Sequence, residues 1–186
     1  MRYIKLYENH KSEEEIHKLC KLYEITMYSI NSDGSIDVNG DVDLGSKGLE
    51  KLPLRFNKVS GEFDCALNSL YTLENAPVEV GGDFICHDNE LENLEYSPKK
   101  VGRDFIALFN NLKSLKGLPL DVGRTYELST NELESLEYAP EEVKGSFIFN
   151  HNKIKSLEHS PKKVGGDFDC SDNKLTSLQY SPEYIR

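Results

Sequence analysis

The chain repeats itself every 21 residues, and this period constrains its fold more than any other feature. Counting from Val38 as position one, the first column reads Val38, Val59, Val80, Val101, Val122, Val143 and Val164. Position five is Val42, then Phe63, Phe84, Phe105, Tyr126, Phe147 and Phe168. Asn holds position ten from Asn68 to Asn173, after Lys47 in the first copy. Position twelve is Leu or Ile, and position fifteen is Leu in all seven copies, from Leu52 to Leu178. Pro holds position nineteen from Pro77 to Pro182, after Phe56. The 186 residues divide into 37 outside the period, seven copies without an insertion, and a two-residue stub. A unit this short cannot bury its own apolar face, so the copies must stack as coils of a solenoid with one continuous core.

Each column has a physical reading. Positions five and seven alternate with four, six and eight, which predicts one short strand per coil with its odd positions inward. The Asn at ten follows the strand where the chain turns. Its amide both donates and accepts, so stacked copies can satisfy turn backbone groups as a ladder. Leu at twelve and fifteen fills the core behind the strand. Pro at nineteen sets an extended outer arc, and Gly at two and three relaxes the backbone at the return turn.

The wording F-x-C-x-x-N-x-L-x-x-L resembles the short bacterial-type leucine-rich repeats of secreted effectors from enteric pathogens. The fuller stretch VGGDFDCSDNKLTSLQYSP, Val164 to Pro182, is closer still to leucine-rich repeat proteins of large tailed bacteriophages. INSDGSIDVNGDVDL, Ile30 to Leu44, is similar to their lead-in. The resemblance spans residues 27 to 186. It implies a leucine-rich repeat solenoid whose short parallel strands line a concave face. Ubiquitin-ligase relatives carry a separate catalytic domain after the repeats, and that activity does not transfer to a chain ending at Arg186.

Residues 1–37 read as an N-terminal cap, and 38–186 as the solenoid with its stub. Ser12 with Glu15 makes a capping box. Ile16, Leu19, Cys20 and Tyr23 follow helical spacing, which predicts a helix from about 13 to 23. Asp33-Gly34 predicts a tight hairpin turn within about 27–38. MRYIKLYE alternates as a short strand, with Tyr3 and Tyr7 available to a partner. At the other end only Glu183, Tyr184, Ile185 and Arg186 follow Pro182. The last coil is therefore expected to present an open sheet edge, which invites an end-to-end homodimer.

Composition excludes several functions. With 22 basic and 32 acidic residues the net charge is -10, which argues against a grip on nucleic-acid backbone. No run approaches the roughly 18 to 20 apolar residues of a membrane span, and the N-terminus has no signal-like apolar core. VGGDF at Val80–Phe84 and Val164–Phe168 evokes a cyclic-dinucleotide synthase motif, but here it is the return turn of the repeat. There is no phosphate-binding Gly-rich loop and no nucleophile elbow. Cys65, Cys86 and Cys170 sit at inward position seven, without the close pairs of a zinc site. With Cys20 they read as reduced buried thiols of a cytoplasmic protein. Asp37-x-Asn39-x-Asp41-x-Asp43 starts like a calcium loop, but Val42 and Gly48 stand where such a loop needs Gly and Glu. His10, His17, His87, His151 and His159 are scattered. No cofactor or metal is expected.

What distinguishes one coil from another lies at the outward positions. Position six runs Asp43, Asp64, Ile85, Ile106, Glu127, Ile148, Asp169. Position eight includes His87, Leu108 and Asn150, and position nine includes Phe109. The ends of the strand face are acidic and its middle is apolar. Ile85, Ile106, Leu108, Phe109 and Ile148 form the candidate binding patch, with His87, Glu127 and Asn150 around it. Arg103 and Arg124 replace Gly at position three and flank it. The expected function is non-catalytic recognition of a protein by the concave face. The phage resemblance implies an accessory protein that binds and inhibits a host or antiphage defence protein, with acidic ends able to mimic nucleic-acid phosphates. A structural or virion-associated assembly role through the C-terminal end is the alternative.

Overall fold

The computed structural model describes residues 11–186; His10, Tyr3, Tyr7 and the strand expected in MRYIKLYE lie outside them. In chain order the elements are α1 (Glu13–Leu22), β1 (Tyr28–Ile30), β2 (Ile36–Val38), β3 (Val42–Asp43), β4 (Phe56–Val59), β5 (Phe63–Asp64), β6 (Glu79–Val80), β7 (Phe84–Ile85) and β8 (Lys100–Val101). There follow β9 (Phe105–Ile106), β10 (Asp121–Val122), β11 (Tyr126–Glu127), β12 (Glu142–Val143), β13 (Phe147–Ile148), β14 (Lys163–Val164), β15 (Phe168–Asp169) and β16 (Tyr184–Ile185). The period closes into a β-solenoid of about seven turns with parallel strands.

α1 begins at Ser12, whose hydroxyl accepts from Glu15 N–H while the Glu15 carboxylate accepts from Ser12 N–H. These backbone and hydroxyl bonds hold the Glu15 carboxyl below its usual range. Ile16 and Cys20 face the core. β1 and β2 pair antiparallel. Gly34 N–H bonds Asn31 O at 2.9 Å and Gly34 sits at φ 75°. The Asp33-Gly34 turn is thus the three-residue hairpin that ends in a left-handed glycine. β2 also pairs in parallel with β4, so the hairpin is continuous with the coils that follow.

The strand expected at position five is present in every coil. The odd-numbered strands from β3 to β15 form a seven-stranded parallel sheet in which each residue pairs with one 21 positions on, as in Phe84↔Phe105 and Tyr126↔Phe147. A second strand in each coil, at positions twenty-one and one, was not expected. It builds a six-stranded sheet (β1-β2-β4-β6-β8-β10) and a three-stranded one (β12-β14-β16). Position one faces the core, while position twenty-one carries cross-strand pairs such as Lys58–Glu79 at 3.0 Å and Lys163–Glu142 at 2.6 Å. The ladder breaks between β10 and β12, where the like charges Asp121 and Glu142 would stand opposite each other and oppose pairing. Lys144, in place of Gly at position two, binds Asp121 there at 2.8 Å.

The core runs the length of the coils. Phe63, Phe84 and Phe105 stack with ring centroids 5.6 and 5.5 Å apart. The Asn column performs the expected work. Asn110 Oδ1 accepts from Leu91 N–H in the preceding coil, and its amide donates to the carbonyls of Cys86, Ala107 and Leu108. The glycines at position two serve a different purpose from the one expected. A Cβ on Gly102 would sit 2.0 Å from Gly81 O, so the column permits close stacking of coils rather than unusual backbone angles. The last coil is less covered than the rest: Leu178 is 69 % exposed, whereas Leu157 one coil earlier is fully buried.

Candidate functional site

The seven-stranded sheet positions the candidate residues. Because five and seven point into the core, six and eight point out, and strand pairing sets Ile85 beside Ile106 and Ile106 beside Glu127. Ile148 follows Glu127 on β13. All four are half-buried. Phe109 stands at the strand exit, 50 % exposed, at φ 50°. Its ring therefore does not fill the Asn-turn core. The whole of position nine adopts this left-handed backbone, including Leu67 at φ 56° and Thr130 at φ 53°. No glycine marks that column, so the sequence carried no signal for it.

The acids of position six have a local task. Asp64 Oδ1 accepts from Ala66 N–H at 2.8 Å, Asp43 from Gly45 N–H at 2.9 Å, and Asp169 from Ser171 N–H at 2.9 Å. Glu127 does the same for Ser129 at 3.1 Å. The Ser171 hydroxyl and N–H bonds hold the Asp169 carboxyl below its ordinary range. In these coils a carboxylate satisfies an outward backbone donor at position eight. In coils three, four and six, isoleucine replaces the acid. Among the described residues, the N–H groups of His87, Leu108 and Asn150 then have no protein acceptor. The apolar run is therefore also a row of open donors, two of them on adjacent coils.

The surrounding residues are tied in place. His87 Nδ1 lies 2.8 Å from Asp88 Oδ2. Ser129 Oγ joins Glu127 and Asn150 in one hydrogen-bonded chain. Arg103 pairs with Asp83 at 2.9 Å and Glu62 at 3.8 Å, and Arg124 with Asp104 at 3.0 Å. Both guanidiniums thus stand at the leading edge of the face, committed to position-four carboxylates of the preceding coils. Burial, then the neighbouring Asp83, Asp64 and Asp41, push the Glu62 carboxyl up, against the opposing pull of Arg103.

Among the described residues no group of three or more His, Cys, Asp or Glu gathers to hold a metal ion. The carboxylates and amide of the calcium-like run are spent on separate neighbours: Asp37 on Asn57, Asn39 on Ser60, Asp41 on Glu62 N–H and Asp43 on Gly45 N–H. The cysteines are free thiols, and burial pushes those of Cys65 and Cys86 far above the ordinary range. Among the described residues no helix is long and apolar enough to cross a membrane. Compared with known proteins, the chain matches no family model, no curated protein and no solved structure.

Proposed function

We propose that the protein is a non-catalytic scaffold of the leucine-rich repeat kind that binds a partner protein through the outward face of its seven-stranded sheet. One observation carries the reading. Four coils satisfy their outward position-eight N–H with their own acid, while coils three, four and six present a half-buried isoleucine and an open donor instead. Water can meet these donors in the free protein, and a docked partner gains by burying the isoleucines and supplying protein acceptors in its place. Ile85, Ile106, Leu108, Phe109 and Ile148 form the centre of the contact, and His87, Glu127, Asn150, Arg103 and Arg124 form its rim. The wording shared with tailed-phage repeat proteins supports the narrower proposal that the partner is a host or antiphage defence protein in the infected cell.

The test uses immobilised protein and lysate of the cognate bacterium, with an Ile85→Asp, Ile106→Asp variant beside the wild type. Asp already occupies position six in three coils, so the variant keeps the fold and caps its own donors. A protein retained by wild type and lost from the variant supports the reading. A protein retained equally by both contradicts it.

A further inference from the structure

Three departures from the repeat meet where the second sheet breaks, between β10 and β12. The first is steric. A Cβ at position two would lie 2.0 Å from Gly81 O on Gly102, 1.9 Å from Gly102 O on Gly123 and 2.1 Å from Lys144 O on Gly165. Lys144 carries such a Cβ into this column, so it cannot seat on Gly123 as the glycines seat on the coils before them. Ser60, the other side chain that enters the column above a preceding coil, follows β4, whose pairing with β2 slips register. The second departure is electrostatic: Asp121 and Glu142 would stand opposite each other across the break. The third is the turn of coil four, which leans the other way. A Cβ on Gly117 would lie 2.2 Å from Leu94 O, and Leu94 N–H bonds Lys116 O at 3.1 Å, so this arc is tied to coil three.

The result is an opening on one side of the coils only. To either side of it, position-twenty N–H groups donate to the residue one coil earlier, as Lys99 to Val78 O and Lys162 to Glu141 O, both at 2.8 Å. Position-two N–H groups donate to a position-one carbonyl, as Gly123 to Val101 O and Gly165 to Val143 O, both at 2.9 Å. Among the described residues the N–H groups of Leu120, Glu141 and Lys144 have no protein acceptor. The opposite side stays closed: β11 pairs with both β9 and β13, and Asn131 and Asn152 carry the amide ladder through. What spans the opening is the Lys144–Asp121 ion pair at 2.8 Å, exposed on both side chains, and the Tyr126 hydroxyl, which donates to Pro119 O at 2.9 Å. A stack of coils is held by contacts between neighbours, so it yields first where those contacts are fewest. Closed on one side and open on the other, it bends about the closed side.

We propose that the break between β10 and β12 is a hinge, with β11 as its pivot and the Lys144–Asp121 pair as its latch. The cap and coils one to four move as one body, and the chain from β12 onward moves as the other. Glu127 on the pivot divides the isoleucine row, leaving Ile85 and Ile106 on one body and Ile148 on the other. The hinge therefore sets the curvature of that row. Its bearing on recognition rests on the proposed binding face; the hinge itself does not, and its test involves no partner. Nitroxide labels on Lys99→Cys and Glu141→Cys span the break. Labels on Glu141→Cys and Glu183→Cys span two coils within the three-stranded sheet and serve as control. Cys170→Ser in both proteins leaves Cys20, Cys65 and Cys86, all buried, as native thiols. Strand spacing sets the two backbone sites of each pair about 9.6 Å apart, a separation read by dipolar broadening in frozen-solution electron paramagnetic resonance. Across the break the distance distribution should be at least about twice as wide as in the control. Salt at about 1 M screens the exposed latch and should widen it further, with the control unchanged. Lys144→Gly with Asp121→Asn removes the Cβ and the like charge, and should narrow the distribution to the control's width. Equal widths for the two pairs at low and high salt would overturn the hinge, as would an unchanged width in the folded double variant. A wide distribution indifferent to salt would overturn the latch. Should the double variant fail to fold, the comparison of the two labelled pairs at low and high salt decides.

Discussion

Replacing Asn110 by Ala isolates what the Asn column contributes. Asn110 is buried, and its amide donates to Cys86, Ala107 and Leu108 carbonyls at 3.0, 3.3 and 3.2 Å. Each of those carbonyls keeps another donor after the change: Asn89 for Cys86, Asn131 for Ala107 and Asp88 N–H for Leu108. Leu91 N–H does not. Its bond to Asn110 Oδ1 at 3.0 Å has no substitute, and Leu91 is fully buried. An unsatisfied buried donor costs about 1–3 kcal/mol, and the lost bonds to the carbonyls add about 1 kcal/mol more. The expected cost is therefore about 2–4 kcal/mol, or roughly 5–15 °C in melting temperature for a chain of this size. Asn173 makes the equivalent bonds in the last coil, to Ile154 N–H and to the Phe149, Cys170 and Ser171 carbonyls, but it is only half-buried. Ile154 is fully buried like Leu91, but the opening left at half-buried Asn173 admits water to its N–H, so Asn173→Ala should cost about 1 kcal/mol. Urea unfolding followed by far-UV circular dichroism measures both. Equal costs for the two variants, or a change below about 0.5 kcal/mol for Asn110→Ala, would refute the assignment of the effect to a stranded Leu91 donor.

Further outcomes follow from the same geometry. Gly102→Ala should destabilise by more than about 3 kcal/mol, because the new Cβ meets backbone at 2.0 Å; Gly48→Ala, in open space at φ 67°, should cost about 1 kcal/mol, both read by urea titration. Thr130→Asn should stabilise by about 0.5–1 kcal/mol, since a β-branched side chain at φ 53° gives way to one that tolerates that backbone; a lower melting temperature would count against it. Asp33 and Asp169 are held below their ordinary range by the Ser35 and Ser171 hydroxyl and N–H bonds, so their contribution is full at neutral pH and is lost as pH falls through their lowered values. Stability should therefore drop below about pH 4, and Asp33→Asn should flatten that drop. Thiol labelling at pH 8 should modify Cys170 before Cys65 and Cys86, whose buried thiols stay protonated until the coils open.

How far the residues announce this fold depends on whether a column's chemistry is unambiguous. Phe at five, Asn at ten and Leu at twelve and fifteen each admit one packing role, and the coil, the first strand and the amide ladder were legible from them. The second sheet was not. From β6 to β14 its strands are two residues long, and the outward residue is Lys, Glu or Asp, which reads as solvated arc rather than strand. The left-handed position nine was hidden because tertiary stacking holds non-glycine residues there. At the candidate site the isoleucine row could be read from the alternation. The open donors at His87, Leu108 and Asn150 could not, because they depend on acids that bond two residues ahead in the other coils.

The central claim is that the middle of the outward strand face is the binding surface. The most direct test is the affinity of the captured partner protein for wild type and for Ile106→Asp, measured by titration calorimetry at matched melting temperature. The account predicts at least a hundredfold loss for Ile106→Asp, with little dependence on salt for the wild-type complex. An unchanged affinity in the folded variant would contradict it.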